Sequence, residues 1–177
     1  MTKHLRPLTP ADAELTFIWR NREVIRNAMY ITNTIKAADH LAWIGRTIAD
    51  NTRDYSIFEM DGRPAGIVGV IWINRSDGRA EWSFHIGAAD APRGSGTIML
   101  EMALRRFFED AGGRKMCAEV IADNTRSLAL HDRLGFFREG MRRSHIIHRG
   151  SVKDIVEYGL LHSDWKLRNP APNGNPG

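Results

Sequence analysis

The stretch Arg93-Gly94-Ser95-Gly96-Thr97 is the first part of the chain whose residue types suggest chemistry. Glycines let a backbone approach a ligand closely. If a helix begins here, its first N–H groups have no partner inside the helix and are free to bind an anion, most naturally phosphate. Taken alone the pattern is weak, because short glycine-containing turns are common and a plain tight turn is an equally good interpretation.

The segments on both sides of this loop strengthen the phosphate interpretation. Trp82, Phe84 and Ile86 alternate with polar neighbours, a period of two that predicts a strand. Residues 98–108 are apolar on a broad arc, with charged residues four apart on the remaining face, which predicts a helix. The loop therefore joins a strand to a helix N-terminus, where a phosphate site is expected.

A second set of polar residues follows on the next predicted helix. Residues 115–122 predict a buried strand, and the helix after it begins near Asn124 and ends before Gly135. Ser127 and His131 lie on the same face of this helix as Asn124. A polar stripe beside a phosphate loop indicates a shared function.

These two segments together resemble the GCN5-related N-acetyltransferase (GNAT) superfamily. Residues 93–96 match its Q/R-x-x-G-x-G/A pyrophosphate loop, and residues 124–136 match its N-x-x-(A/S)-x-x-x-Y-x-x-x-G-F segment. Two residues depart from the pattern: Ile98 replaces the usual Gly or Ala, and His131 replaces a Tyr that protonates the leaving thiolate in many members. The resemblance implies acetyl-CoA as co-substrate, bound by Ile86, Arg93, Gly94, Ser95, Gly96, Thr97, Asn124 and Ser127.

The resemblance also implies an α/β fold. We expect a mixed, mostly antiparallel sheet of about seven strands, flanked by about four helices, with splayed central strands that hold acetyl-CoA. Residues 1–166 are predicted to form a single acetyltransferase domain. Residues 167–177, which are rich in proline and glycine, are predicted to form a disordered tail.

Composition restricts the partners and the compartment. The 177 residues suffice for one domain with a core, and the formal net charge is +4, from 25 basic and 21 acidic residues. No basic run with interleaved aromatics occurs, so nucleic acid is a less favoured partner than a small anion. The single Cys117 excludes an internal disulfide. With no long apolar run and no signal peptide, we expect a cytoplasmic protein without membrane or metal partners.

The N-terminal third resembles one branch of the superfamily, the PseH-type enzymes. These N-acetylate the 4-amino group of a UDP-linked 4-amino-4,6-dideoxy sugar, a precursor in pseudaminic acid synthesis and flagellin glycosylation. The resemblance implies a UDP-amino-sugar acceptor and leaves a homodimer open. The residues that it implies for binding the acceptor are Arg20, Met29, Tyr30, His40 and Trp43, and we add Trp82 to this set.

The residue types suit such an acceptor. Arg20 offers a planar fork for a diphosphate, and His40 can donate to a base carbonyl or a phosphate oxygen. Tyr30 and Trp43 offer rings on which a uracil or sugar stacks. Each residue alone has a plainer interpretation: a helical Trp43 or a strand residue such as Trp82 is more often core, and a single arginine is usually solvated.

Acetyl transfer needs a base for the acceptor ammonium and a proton for the leaving thiolate. Glu119 is the lone carboxylate on an apolar strand and is the predicted base, with a structural salt bridge as the alternative. His131 is the predicted proton donor. Glu81 is a second carboxylate, expected to face away from the thioester. By resemblance, a backbone N–H near residues 84–86, at a bulge, polarises the thioester carbonyl.

Two other functions remain open at this point. The first is acetylation of protein N-termini or of ribosomal protein, which requires a peptide groove without a diphosphate clamp. The second is a non-catalytic acetyl-CoA-binding module, which requires neither Glu119 nor His131.

Overall fold

Alternating side chains build one mixed sheet of seven strands in the computed structural model, which describes residues 2–170. The strand order is β1-β2-β3-β4-β5-β7-β6. All neighbouring strands are antiparallel except β4 and β5, which are parallel. The strands are β1 Lys3–Pro7, β2 Arg53–Met60, β3 Arg63–Asn74, β4 Arg79–Ile86, β5 Lys115–Ile121, β6 Phe137–His148 and β7 Ser151–Leu161.

Helices cover both faces of this sheet, and alternate residues of the strands face opposite sides. The larger core contains Phe58, Val68 and Trp82, and the smaller one contains Ile57 and Ile67. This confirms the predicted GNAT-type sheet flanked by helices. The helices are α1 Ala13–Asn21, α2 Glu23–Arg26, α3 Ala37–Ala49, α4 Ser95–Arg105, α5 Thr125–Leu134 and α6 His162–Arg168.

The central strands splay apart, as expected. Strands β4 and β5 pair at only three positions, from Arg79↔Lys115 to Glu81↔Cys117, and no further pair between them is found within residues 2–170. Beyond Glu81, the backbone groups on the inner edge of β4 have no strand beside them. This opens a wedge between β4 and β5 that begins at Glu81.

The bulge predicted near residues 84–86 is displaced to the residues directly after them. The β3–β4 register runs without interruption from Gly66↔Ile86 to Trp72↔Ala80. Just beyond Ile86, Gly87 N and Ala88 N both donate to Ala65 O, at 2.9 and 3.1 Å, so two residues face one there. The free edge of β4 up to Ile86 results from the loss of pairing with β5.

Helix α3 packs on a different face from the one that its apolar residues predict. The helical spacing of Leu41, Ile44 and Ile48 predicts one buried stripe, but Leu41 and Ile48 are 58% and 46% exposed. The buried neighbours of Ile44 are His40 and Thr47. His40 is held by a 2.8 Å hydrogen bond to Thr16 of α1, so a polar contact sets the rotation of the helix.

The chain end differs in part from the predicted tail. Helix α6 continues to Arg168, two residues into the segment expected to be disordered. The remainder of that prediction, over residues 171–177, lies outside the described residues. None of the helices in the described chain is both long and apolar enough to span a membrane.

Candidate active site

The glycine loop forms the predicted turn into a helix. Gly94 has a φ of 94°, in the left-handed region that glycine adopts without strain, and α4 begins at Ser95. The Ser95 hydroxyl donates to the Pro92 carbonyl at 2.6 Å, which fixes the turn. A Cβ on Gly96 would meet only Ile86 Cγ1, at 3.7 Å, so the backbone there is open to a ligand. These features fit the pyrophosphate of acetyl-CoA.

Two cations accompany this loop. Arg93 is exposed at its start, and Arg133 of α5 reaches Thr97, with 3.4 Å between Arg133 Nη1 and Thr97 Oγ1. Sequence reasoning missed Arg133, since its approach to Thr97 depends on how α5 packs beside α4. Both guanidinium groups can neutralise phosphate charge.

The inner edge of β4 supplies backbone donors to the wedge. Gly87 N donates to Ala65 O of β3. Since hydrogen-bonding directions alternate along a strand, the N–H groups of Phe84 and Ile86 point to the opposite edge, where β5 has diverged. Donors in this position can polarise a thioester carbonyl held in the wedge.

Asn124 and Ser127 form the N-terminus of α5. Asn124 caps the helix, because its side-chain oxygen accepts a 3.1 Å hydrogen bond from Ser127 N. Ser127 is half-buried on the same face. The structure therefore explains Asn124 as a helix cap, and its amide NH₂ remains available as a donor.

Glu119 lies at the centre of a polar network on the other side of the wedge. Its Oε2 accepts a 2.9 Å hydrogen bond from the Tyr30 hydroxyl, and its Oε1 is ion-paired with Arg142 of β6. Arg142 Nε is also 3.1 Å from Glu157 Oε1 of β7. Burial, then the hydrogen bond to Glu119, raises the pKa of Tyr30, which therefore stays a neutral donor. Both Glu119 oxygens are thus occupied.

Glu81 lies on the same face of the sheet as Glu119. It pairs with Cys117, two residues before Glu119, and side chains two apart on a strand share a face. Burial, then the negative charge of Glu119, raises the pKa of Glu81. The sequence predicts that Glu81 faces away from the thioester. The structure places Glu81 on the same face of the sheet as Glu119, at the start of the wedge.

A cavity of about 300 Å³ lies on the α1–α3 side of the sheet, and its lining includes Ser83, two residues after Glu81 on β4. Four of the residues predicted to bind the acceptor line it: Arg20, Met29, His40 and Trp43. The next residue along the chain, Tyr30, reaches Glu119 instead. The structure thus brings four of the six predicted acceptor residues into one cavity and places Tyr30 on Glu119.

Trp82 is the exception, because it faces the opposite side of the sheet. It is buried in the larger core, where its ring lies 5.1 Å from that of Phe136. Its position matches the plainer interpretation of a strand tryptophan as a core residue. The cavity instead includes His85 of β4, which sequence reasoning missed. The alternation of Glu81, Ser83 and His85 along β4 was the available signal.

His40 uses one ring nitrogen for packing. The Thr16 hydroxyl donates its only proton to Asp12 O at 2.7 Å. In the 2.8 Å hydrogen bond between Thr16 Oγ1 and His40 Nε2, the donor is therefore the N–H of His40. Burial, then the charge of Arg20, lowers the pKa of His40. A neutral His40 therefore presents Nδ1 as an acceptor and not as the predicted donor to phosphate.

His131 is buried and both of its ring nitrogens are occupied. Nδ1 lies 2.8 Å from Ser127 O, and Nε2 accepts a 3.2 Å hydrogen bond from Trp82 Nε1–H. Burial lowers its pKa, so the ring is neutral and carries its proton on Nδ1. To act as the predicted donor, His131 would first have to release Ser127.

The known proteins that the sequence matches are acetyltransferases. A model of the Acetyltransferase (GNAT) domain matches residues 4–137. The chain is 25% identical over 167 residues to the SPbeta prophage-derived uncharacterized N-acetyltransferase YokL of Bacillus subtilis (strain 168), covering 93% of each protein. It is 27% identical over 164 residues to acetyltransferase PseH of Campylobacter jejuni, covering 93% of this chain and 95% of PseH.

Solved structures match the fold closely. The crystal structure of spermidine N-acetyltransferase from Vibrio cholerae in complex with CoA and spermine superposes with a TM-score of 0.84 at 22% identity. The match covers 92% of this chain and 97% of that one. At this identity the likeness establishes the fold and not the acceptor.

We predict that Gly96→Asp abolishes tight binding of acetyl-CoA while the fold is retained. The new side chain has room, since only Ile86 lies near the Cβ position, but its negative charge would repel the pyrophosphate. Isothermal titration calorimetry should show at least a tenfold weaker Kd, and Gly96→Ala, which adds no charge, should lose far less. Equal affinity in wild type and Gly96→Asp would place the pyrophosphate elsewhere.

We also predict a pH dependence of stability from the buried histidines. The pKa of His131 is lowered in the folded protein, so the unfolded chain binds more protons once the pH falls below the ordinary value of about 6.5. The contribution of His131 to the free energy of unfolding is therefore fully present above that pH and is lost as the pH falls below it. His131→Phe should lose about 1–3 kcal/mol at pH 8, because the Trp82 N–H loses its acceptor.

Urea unfolding at several pH values between 5 and 8 tests this. His131→Phe should show a shallower loss of unfolding free energy toward pH 5 than wild type, since one titrating group is gone. Parallel curves would mean that His131 is not neutral in the folded protein.

Proposed function

The chain belongs to the acetyltransferase (GNAT) family, and from this premise we propose that it acetylates the 4-amino group of a UDP-linked amino-deoxy sugar. The reaction class, transfer of acetyl from acetyl-CoA to an amine, is that of the family. The proposed acceptor would make the product a precursor for pseudaminic acid and flagellin glycosylation. The sequence likeness to PseH supports this choice.

The cavity on the α1–α3 side of the sheet carries the proposal. Arg20 Nη2 donates to Ile31 O at 2.8 Å, which fixes the guanidinium, while Nη1 is shielded from solvent without a partner in residues 2–170. The rings of His40 and Trp43 stack at 5.3 Å beside it. A fixed cation next to flat rings suits a nucleotide, whose diphosphate and base present a negative charge and a planar surface.

Other acceptors suit this cavity less well. A polyamine carries several positive charges and needs carboxylates, yet the lining offers a single one, Asp39, against the cation of Arg20. A peptide N-terminus would need no buried guanidinium. A non-catalytic acetyl-CoA-binding module would need no paired carboxylates at the wedge.

The two carboxylates can divide the proton chemistry between them. An acceptor ammonium must lose a proton before it attacks, and a base whose pKa is raised takes that proton more readily. Both oxygens of Glu119 are occupied by Tyr30 and Arg142, whereas Glu81 beside it has a pKa raised by burial and then by the charge of Glu119. We therefore assign proton uptake to Glu81 and the fixed negative charge that supports it to Glu119.

The remaining chemistry depends on backbone and leaving-group properties. The N–H groups of Phe84 and Ile86 would stabilise negative charge that develops on the thioester oxygen. Acetyl-CoA supplies the acetyl group and a thiolate leaving group, which is a much weaker base than an alkoxide and leaves without obligatory protonation. His131 is then not essential as a donor.

An acceptor panel tests the proposed function. Thiol release from acetyl-CoA is measured with UDP-linked 4-amino sugars, spermidine, peptides with free N-termini, and no acceptor. Turnover should be highest with a UDP-amino sugar. For Arg20→Ala the acceptor KM should rise about 10- to 100-fold, the worth of a charge-assisted hydrogen bond, with the acetyl-CoA KM unchanged.

Arg46→Ala is the matched control, since Arg46 is an exposed arginine of α3 outside the cavity lining. It should behave as wild type. Preferred turnover of spermidine or peptide would refute the UDP-sugar acceptor, and turnover with no acceptor alone would refute acetyl transfer to an amine.

The two carboxylates are predicted to differ in their pH profiles. Glu81→Gln removes the base and should lower kcat about 10²–10⁴-fold, with partial recovery at high pH, where more amine is already neutral. Glu119→Gln removes the charge that raises the pKa of Glu81, so the acidic limb of the kcat profile should move to lower pH. Were Glu119 the base itself, as the sequence predicts, its variant would instead show the larger loss and no such displacement.

A further inference from the structure

Two polar atoms in the acceptor cavity lack hydrogen-bond partners within residues 2–170. These are Arg20 Nη1 and His85 Nε2, and both are shielded from solvent. Buried polar atoms are nearly always paired, because an unpaired one loses the hydrogen bonds that water would give it. Two such atoms in one cavity therefore indicate that a ligand completes their bonding.

His85 is held rigidly in place. It pairs with Ile67 in the middle of the β3–β4 register, and the ring of Trp19 meets it edge-on at 6.4 Å and 87°. Trp19 is itself wedged against Gly87, where a Cβ would lie only 1.9 Å from its indole. The imidazole is thus a fixed part of the cavity floor, which favours specific recognition over adaptable contact.

The charges in the cavity select the kind of ligand. Burial, then the positive charge of Arg20, lowers the pKa of His85 to about 4, so the imidazole is neutral and offers one N–H. Arg20 offers a charged N–H beside it. The charged N–H of Arg20, together with a neutral imidazole that can carry its proton on the unbonded Nε2, suits an oxygen that carries negative charge.

His40 cannot take this role in its observed arrangement. Its Nε2–H is already donated to Thr16, so a neutral His40 has no further N–H to give. His85 is therefore the imidazole of the cavity with a ring nitrogen still to be bonded.

We propose that Arg20 and His85 form a two-point receptor for one anionic group of the acceptor, a phosphoryl or carboxylate group, and that His85 determines acceptor specificity. The identification of the phosphoryl group with a nucleotide diphosphate rests on the proposed function. The receptor itself depends only on the two nitrogen atoms that lack partners within residues 2–170. A polyamine would bring its positive charge to Arg20 and no oxygen to His85.

Calorimetric titration with UDP, inorganic phosphate and succinate tests the receptor. The protein is first saturated with CoA, so that the pyrophosphate loop is filled. His85→Phe should raise the Kd of the bound anions about tenfold, the usual effect of one lost hydrogen bond to a charged group. His85→Gln keeps an N–H donor and should lose less. The effects of Arg20→Ala and His85→Phe should not add in the double variant, because both donors bind one group.

A second readout is independent of affinity. The ¹⁵N shift of the His85 imidazole should show a proton on Nε2 and should change when UDP or phosphate is added. His162→Phe is the matched control: its Nε2 is also shielded and unpaired in the described chain, but its ring stacks on Phe108 outside the cavity. It should leave every anion Kd unchanged.

The possible outcomes separate the receptor from the nucleotide assignment. If phosphate and succinate bind and weaken in His85→Phe while UDP does not bind, the receptor stands and the nucleotide acceptor is wrong. If no anion binds, if all bind His85→Phe as tightly as wild type, or if spermidine alone shifts the His85 signal, the receptor is refuted.

Discussion

The divergence of β4 from β5 after three residue pairs is the constraint on which the rest of the site depends. A strand edge with unpaired N–H groups is unfavourable unless something binds to it, so an opening inside a sheet has to be matched by a ligand or by water. The glycine loop leads from the far end of β4 into α4, and Glu81 stands where the pairing stops. Cofactor loop, carbonyl donors and carboxylates are therefore positioned by one feature of the sheet.

The splay also explains why the carboxylates interact. Paired parallel strands keep their side chains at regular spacings. Here the last pair places Glu81 beside Cys117, and Glu119 lies two residues further along β5, where β5 has diverged from β4. Glu119 is then stabilised from elsewhere, by Tyr30 of the N-terminal segment and Arg142 of β6. Those contacts hold the Glu119 carboxylate in place. Burial and then the charge of Glu119 raise the pKa of Glu81, whose carboxylate has no hydrogen bond or ion pair within residues 2–170.

Much of this was predictable from local patterns, and the failures have a common cause. Alternation located β4, and the glycine loop located the start of α4. The rotation of α3 was not predictable, because a hydrogen bond between His40 and Thr16 of another helix decides it. His131 and Trp82 satisfy each other in the core, a contact between residues 49 apart that no local pattern contains.

The charges on the two sides of the acceptor space are opposite, and this restricts the acceptor more than any single residue does. Glu81 and Glu119 make the end at the wedge negative, which suits an ammonium group, while Arg20 makes the cavity floor positive. Tyr30 follows Met29 of the cavity and reaches Glu119, so the two regions are one residue apart along the chain. A molecule that satisfies both must carry an amine at one end and an anion at the other. Amino sugars joined to a diphosphate have this polarity and simple polyamines do not, and this difference in charge supports the proposed acceptor.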